Sequence, residues 1–443
     1  MKNSIKKKLI ILNYLFLIIS FFFLTYIIYR SEFLFNGEFR SSYIFYYIFF
    51  SIILFFSLIG ILFRKYDLLL FIIFSFLINI YFLELILGFK INIYLEKKLV
   101  KINYDTRDYL DFYKSHISNG KASWNTPGSS FSNSTLDKFP LAAGKSNIYT
   151  FLCNESGEWS TYTSDRFGFR NDDNLWEKSV DFIALGDSYT FGYCVDEGKN
   201  IIEEFNEYSK KKIINLAVGS SGPLHQLAIL KEYISFIKKP KTVLWFYQES
   251  NDIINLENEW HNKILKKYLN DDFNQNLAAN QININKITDK YLKEQYVKNS
   301  YSLKKFLKLE TIKWKIYSYF NSNHKEFDIR NTEKKTNQAR LEKFEIVLSN
   351  AKSFLNKKNI NLVFIYNPTW LRYSDLKFNN DEFRLKKSII KIVNELDIEI
   401  LDIDKSVFSE HRDVLSLYHF RKQSHPTSEA YSLIADFLSK KLN

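Results

Sequence analysis

The sequence predicts an α/β fold, a three-layer sandwich on a parallel sheet, preceded by three transmembrane helices. Two observations carry this. Three long, almost uncharged apolar runs precede residue 90, and from Val180 onward short apolar runs alternate with helical stretches. Over its 443 residues the chain is 46% hydrophobic and 17% aromatic, which suits a membrane protein, yet its mean hydropathy of -0.22 does not. The averages conceal a hydrophobic N-terminal part and a polar remainder, so more than one region is expected.

The apolar runs are Leu9 to Tyr29, Ser42 to Phe63 and Leu68 to about Phe89. Each is long enough to cross a hydrocarbon core of about 30 Å. A cleaved leader would be one shorter run with a small-residue cleavage site, so three runs predict three retained spans and an anchor over residues 1–89. Lys6 to Lys8 and the Arg64-Lys65 pair flank alternate sides. By the positive-inside rule both face the cytoplasm, the loop Arg30 to Ser41 faces outward, and everything after Gly88 is extracytoplasmic, periplasmic or external. Glu84, near the end of the third run, is expected to reach headgroups or water from the outer interface.

Residues 90–175 read as a loop-rich connector, with Gly, Ser, Asn and Pro concentrated in Ser118 to Ser134. Its last stretch, Tyr162 to Asn171, is expected to pack on the domain that follows over residues 176–443. There Val180 to Leu185 is a short apolar run ended by Gly186, the pattern of a strand buried in a parallel sheet. A helix around Asn200 to Tyr208, a strand Lys212 to Val218, a helix Leu224 to Ile237 and a strand Thr242 to Tyr247 follow. This rhythm predicts parallel strands with helices on both faces. About 257–338 is Lys-, Asn- and Tyr-rich and reads as a helical insertion, either a lid over the catalytic face or a decoration. The pattern resumes with a helix Ala339 to Asn356, strand Asn361 to Tyr366, a helix Asp381 to Leu396, the run Ile398 to Ile403, and a final helix from Thr427.

Chemistry-bearing residues stand where strands end, the place at which open α/β sheets bind ligands. Ser188 follows the first strand, Gly219 and Ser220 the second, Asn251 the third, and His425 precedes the last helix. A serine hydroxyl needs a base, most often histidine, to act as a nucleophile near neutrality. Charge developing on an attacked carbonyl needs preorganised N–H donors, from backbone or an Asn side chain.

With these residues the chain resembles the SGNH (GDSL-type) hydrolase superfamily, from about Ser164 to the C-terminus. Gly186-Asp187-Ser188-Tyr189-Thr190-Phe191-Gly192 matches its nucleophile block, Asn215 to Gly222 its second block, Glu249-Ser250-Asn251-Asp252 its Asn block, and Ser424-His425-Pro426 its histidine block. The resemblance implies a flavodoxin-like sandwich. It also implies Ser188 as nucleophile, His425 as base, and an oxyanion hole from the Ser188 and Gly219 or Ser220 N–H groups and the Asn251 amide. Three positions depart from the pattern. Ser220 replaces a usual glycine, and Glu249 and Ser250 occupy places where a glycine is common. Lys422 and Gln423 stand where an aspartate usually precedes the histidine, which leaves His425 to be oriented by a backbone carbonyl or by a carboxylate from elsewhere.

The expected activity is that of an extracytoplasmic esterase removing a small acyl group, such as acetyl, from a carbohydrate or other ester. Two alternatives stand beside it: an O-acyltransferase module fed by a multi-span acyl-donor partner, and a catalytically inactive glycan-binding protein. No metal or organic cofactor is implied. A net charge of +12 raises nucleic acid as a partner, but the lysines are scattered and neither an RNA-recognition signature nor a zinc-finger spacing is present. The charge reads as a solvated surface with some attraction for anionic lipid or glycan. Cys153 and Cys194 lack metal-ligand spacing and are either a single disulfide, allowed outside the cytoplasm, or two unrelated thiols.

Overall fold

The structure is a computed structural model and describes residues 2–34, 41–88, 105, 107, 112, 122–124, 143–249, 251–299, 303–313, 315–316, 329–374, 382–422 and 424–442. Most of Ser118 to Ser134, together with Ser250 and Gln423, lies outside the described residues. The chain divides into two units, Met1–Ile102 with Ser300–Arg330, and Asn103–Asn299 with Asn331–Asn443.

In the first unit, helices α1 (Lys2–Tyr29), α2 (Ser41–Phe63) and α3 (Tyr66–Gly88) each contain a stretch long and apolar enough to span a bilayer. The Asn13 side-chain amide donates to Ser57 O at 2.9 Å, tying α1 to α2. Glu84 departs from expectation. It is fully buried, and its carboxylate accepts the backbone N–H groups of Thr311 and Ile312 at 3.0 and 2.9 Å. Those are helix-start donors that the helix itself leaves unpaired, so a segment of the expected insertion covers the carboxylate in place of headgroups and water.

The second unit holds a five-stranded sheet, all parallel, with strands β4 (Phe182–Leu185), β5 (Ile213–Asn215), β6 (Thr242–Gln248), β7 (Asn361–Asn367) and β8 (Glu399–Asp402) in the order β5-β4-β6-β7-β8. Alternate residues of each strand feed two separate cores, as the two-residue period requires. Ile183, Leu185, Val243, Trp245 and Phe364 join a layer built on helices α6 (Pro223–Tyr233), α10 (Ile329–Asn356) and α11 (Glu382–Glu395). Phe182, Ala184, Leu244, Phe246 and Ile365 face helices α5 (Ile201–Tyr208) and α12 (Ser428–Leu442). This is the predicted three-layer α/β sandwich. Between α6 and α10 the chain forms α7 (Asp252–Glu259), α8 (Gln281–Asn299) and α9 (Leu303–Leu307), and Leu265, Tyr268, Leu277 and Ile284, from the expected insertion, are buried in the α6 layer.

The residues read as a connector contain a small sheet, β1 (Ala122–Trp124), β2 (Tyr149–Phe151) and β3 (Thr161–Thr163). As expected, the stretch after it packs on the sandwich. Arg170 is buried and donates to the carbonyls of Gly192, Val195 and Asp196 at 2.6, 3.2 and 2.7 Å. Strand order reverses between β4 and its two neighbours, which makes the C-terminal ends of β4, β5 and β6 the crevice where such sheets bind ligands.

Candidate active site

Strand β4 ends at Leu185, and the chain turns at once into helix α4 (Ser188–Phe191). The turn is tight enough to require Gly186, since a Cβ there would lie 2.2 Å from Thr190 Oγ1. Asp187 caps α4 by accepting the Tyr189 N–H at 2.9 Å, and Gly192 closes the helix with a positive φ of 85°. Ser188 is thereby held as the first residue of the helix. Its N–H is one of the first-turn donors with no partner inside the helix.

His425, from the loop before α12, places Nε2 3.0 Å from Ser188 Oγ. The other ring nitrogen, Nδ1, lies 3.1 Å from both carboxylate oxygens of Glu155, and Glu155 Oε2 also accepts the His425 backbone N–H at 2.6 Å. Serine, imidazole and carboxylate thus form one continuous chain. Burial pushes the Glu155 carboxyl up, but the hydrogen bonds and charge of His425 outweigh it and hold the group below its ordinary value. An ionised Glu155 fixes the proton of neutral His425 on Nδ1 and leaves Nε2 free to accept from Ser188.

Glu155 has no counterpart among the residues singled out in the sequence. It sits two residues beyond Cys153, which is disulfide-bonded to Cys194. Cys194 in turn belongs to the loop that Arg170 holds, and its sulfur lies 3.6 Å from His425 Nδ1. The loop carrying Glu155 is closed by Ser160 N–H to Cys153 O at 2.9 Å and Leu152 N–H to Ser160 O at 3.0 Å. The signal was the cysteine pair: once bridged, Cys153 must bring its neighbours to the nucleophile loop. Glu155, Cys194 and His425 offer ligand atoms within 4.8 Å of one another, but Cys194 is a disulfide sulfur and not a thiolate, the form that binds metals.

Two aromatic rings wall the histidine. Tyr193 stacks on it at 5.2 Å between centroids and Tyr189 lies at 5.3 Å. Tyr193 also explains Gly219, where a Cβ would come within 2.7 Å of that ring. Ser220 takes a left-handed φ of 59°, the conformation that makes glycine the usual residue at such a turn.

Asn251 directs its amide at Asp187 Oδ2, 2.7 Å away, and the same oxygen is 3.5 Å from Ser188 Oγ. The amide therefore flanks the nucleophile. Burial drives the Asp187 carboxyl up against the pull of Asn251, and drives the neighbouring Asp252 further up, helped by the charge of Asp187. Glu249, in the place of a usual glycine, does not reach Ser188 or His425. It is buried and accepts from Tyr366 Oη at 2.6 Å, Thr369 N–H at 3.3 Å and the Arg372 guanidinium, which ties down the loop after β7.

No family model matches the chain, and neither does any curated protein. Among solved structures it is similar to a putative lipolytic protein of the G-D-S-L family from Desulfitobacterium hafniense DCB-2, at 13% identity and a TM-score of 0.32, over 59% of this chain and 99% of that one. A member of the lipolytic protein G-D-S-L family from Veillonella parvula DSM 2008 gives 11% identity and a TM-score of 0.32, over 59% and 97%.

Proposed function

We propose that this chain is a membrane-anchored, SGNH-type serine esterase that removes a small acyl group from a carbohydrate or other ester. The observation that carries the reading is the chain Ser188 Oγ, His425 Nε2, His425 Nδ1, Glu155, with contacts of 3.0 and 3.1 Å. Ser188 Oγ attacks the acyl carbonyl while His425 takes its proton. The oxyanion forms beside the Ser188 backbone N–H, that of Gly219 or Ser220, and the Asn251 amide, and collapses as His425 returns the proton to the leaving alkoxide. Water then attacks the acyl-serine with His425 again as base, releasing the carboxylic acid and restoring Ser188.

An extracytoplasmic catalytic unit fits the Lys6–Lys8 and Arg64-Lys65 flanks and the Cys153–Cys194 disulfide, which persists in oxidising compartments. Glu155 beside His425 supplies a carboxylate where Lys422 and Gln423 supply none, which favours the esterase over the inactive-binding alternative. The test is hydrolysis of p-nitrophenyl acetate together with labelling by a fluorophosphonate, which phosphonylates activated serines with loss of fluoride. Both are expected in the wild type and lost in Ser188→Ala. Ester hydrolysis that survives in Ser188→Ala at the wild-type rate overturns the reading.

A further inference from the structure

The anchor unit contains a segment that the esterase reading does not use. Leu303 to Ile316 returns from the polar part of the chain and docks on α2 and α3. Tyr46 Oη donates to Lys308 O at 2.7 Å, Tyr81 Oη to Leu307 O at 3.0 Å, and Glu84 accepts the N–H groups of Thr311 and Ile312. Leu309 and Ile312 are buried among Phe49, Ile53 and Ile73. These contacts fix the depth. Tyr46 is five residues past the start of α2 and Glu84 four residues before the end of α3, which at 1.5 Å per residue is about 6 to 8 Å from the same ends of two antiparallel helices. Each helix has 23 residues, about 34 Å against a hydrocarbon core of about 30 Å, so these contacts lie within about 5 Å of the boundary between hydrocarbon and headgroups.

The side chains suit that boundary. Leu303, Leu307 and Ile316 are 73%, 58% and 41% exposed, with Lys304, Lys308 and Lys315 exposed between them and Lys305 and Lys313 partly so. Five lysines stand against the single Glu310. Apolar side chains interleaved with lysines whose stems lie along apolar surface are the chemistry of a helix lying in the plane of a membrane. We propose that Leu303 to Ile316 is a membrane-interface element that buries Leu303, Leu307 and Ile316 among acyl chains and sets its lysines on the phosphates of anionic lipid. Glu84 is the clamp that holds it there, which accounts for a fully buried carboxylate within an apolar span.

The test uses full-length protein in liposomes, with bimane on Leu307→Cys and lipids carrying a quenching nitroxide at a shallow acyl position. A second bimane at Tyr208→Cys, an exposed position on α5, serves as the reference. Quenching is expected at 307 and not at 208. It is expected to deepen when phosphatidylglycerol is added to phosphatidylcholine. That gain is expected to be lost in high salt and in the Lys304→Gln/Lys308→Gln/Lys315→Gln variant. Quenching at 307 no greater than at 208 overturns the interfacial placement. Quenching at 307 that ignores lipid charge, or a gain that persists in the triple variant, overturns the anionic-lipid contact.

Discussion

Replacing Glu155 with Gln tests the candidate triad at its least expected member. The substitution keeps size and removes charge, and the geometry says how Gln will sit. Oε2 accepts the His425 backbone N–H at 2.6 Å while Oε1 lies 3.1 Å from Nδ1. A Gln oxygen that keeps the backbone bond puts its NH2 against Nδ1, and although that oxygen is itself 3.1 Å from Nδ1, the new donor favours the ring tautomer with its proton on Nε2, facing Ser188, where it can no longer accept one. Losing the triad acid by the wrong tautomer lowers kcat about 10^4-fold in serine proteases. Glu155 is 34% exposed, so water can partly stand in, and a fall of roughly 10^3-fold is expected, about 4 kcal/mol of barrier. The assay is kcat and KM on p-nitrophenyl acetate, with KM nearly unchanged. Stability gives a second readout. A carboxyl whose folded pKa is depressed adds stability that is fully present above its ordinary pKa of about 4.3 and lost as pH falls through the folded value. The unfolding free-energy gap between wild type and Glu155→Gln should therefore stand at its full value just above the ordinary carboxylate range and shrink on acidification below it. A Glu155→Gln enzyme within threefold or so of wild-type kcat would refute the acid role.

The remaining predictions concern the groups around that chain. Asn251→Ala removes a donor beside the nucleophile and should lower kcat about 10^2- to 10^3-fold, while fluorophosphonate labelling of Ser188, which needs only the serine and its base, continues at a reduced rate. The paired variant Cys153→Ser/Cys194→Ser opens a loop of sequence separation 41, and the chain-entropy relation puts its stability loss at about 4 kcal/mol. It should also lower kcat, because Glu155 loses its tether. Wild-type kcat in a folded, bridge-free variant would show that the hairpin alone positions Glu155.

What the sequence reveals follows from how local each signal is. Strand β4 is readable because a strand buried on both faces is a continuous apolar run, and Phe182, Ile183, Ala184 and Leu185 are all buried. Ser188, Asn251 and His425 stand out because each lies in a short motif at the end of a strand or before a helix. Glu155 carries no such mark. It reaches His425 across 270 positions from a polar stretch with no periodicity, and only the cysteine two residues before it hints at its destination. Glu84 is opaque for the same reason, since its partners stand 227 and 228 positions away in a Lys-rich stretch with no strand or strong helix pattern. Side chains that act through distant partners are decided by packing, and periodicity reports only neighbours.

The relocated acid changes what the candidate active site depends on. The histidine loop holds itself together through Thr427 N–H to Leu417 O at 2.9 Å and a bridge between Tyr418 and Pro426, and the exposed Lys422 stands where a carboxylate would usually orient the ring. Orientation of His425 comes instead from the stretch before the sandwich: the hairpin closed at Cys153 and Ser160, the disulfide to Cys194, and Arg170, which fixes the 192–196 carbonyls and so the loop at the far end of that bridge. A sandwich cut to begin at the first strand would keep Ser188, His425 and Asn251 and lack Glu155, Cys153 and Arg170 together. On the proposed reading, the residues between the spans and the sheet therefore belong to the catalytic apparatus, and an oxidising environment that keeps the bridge closed would support it.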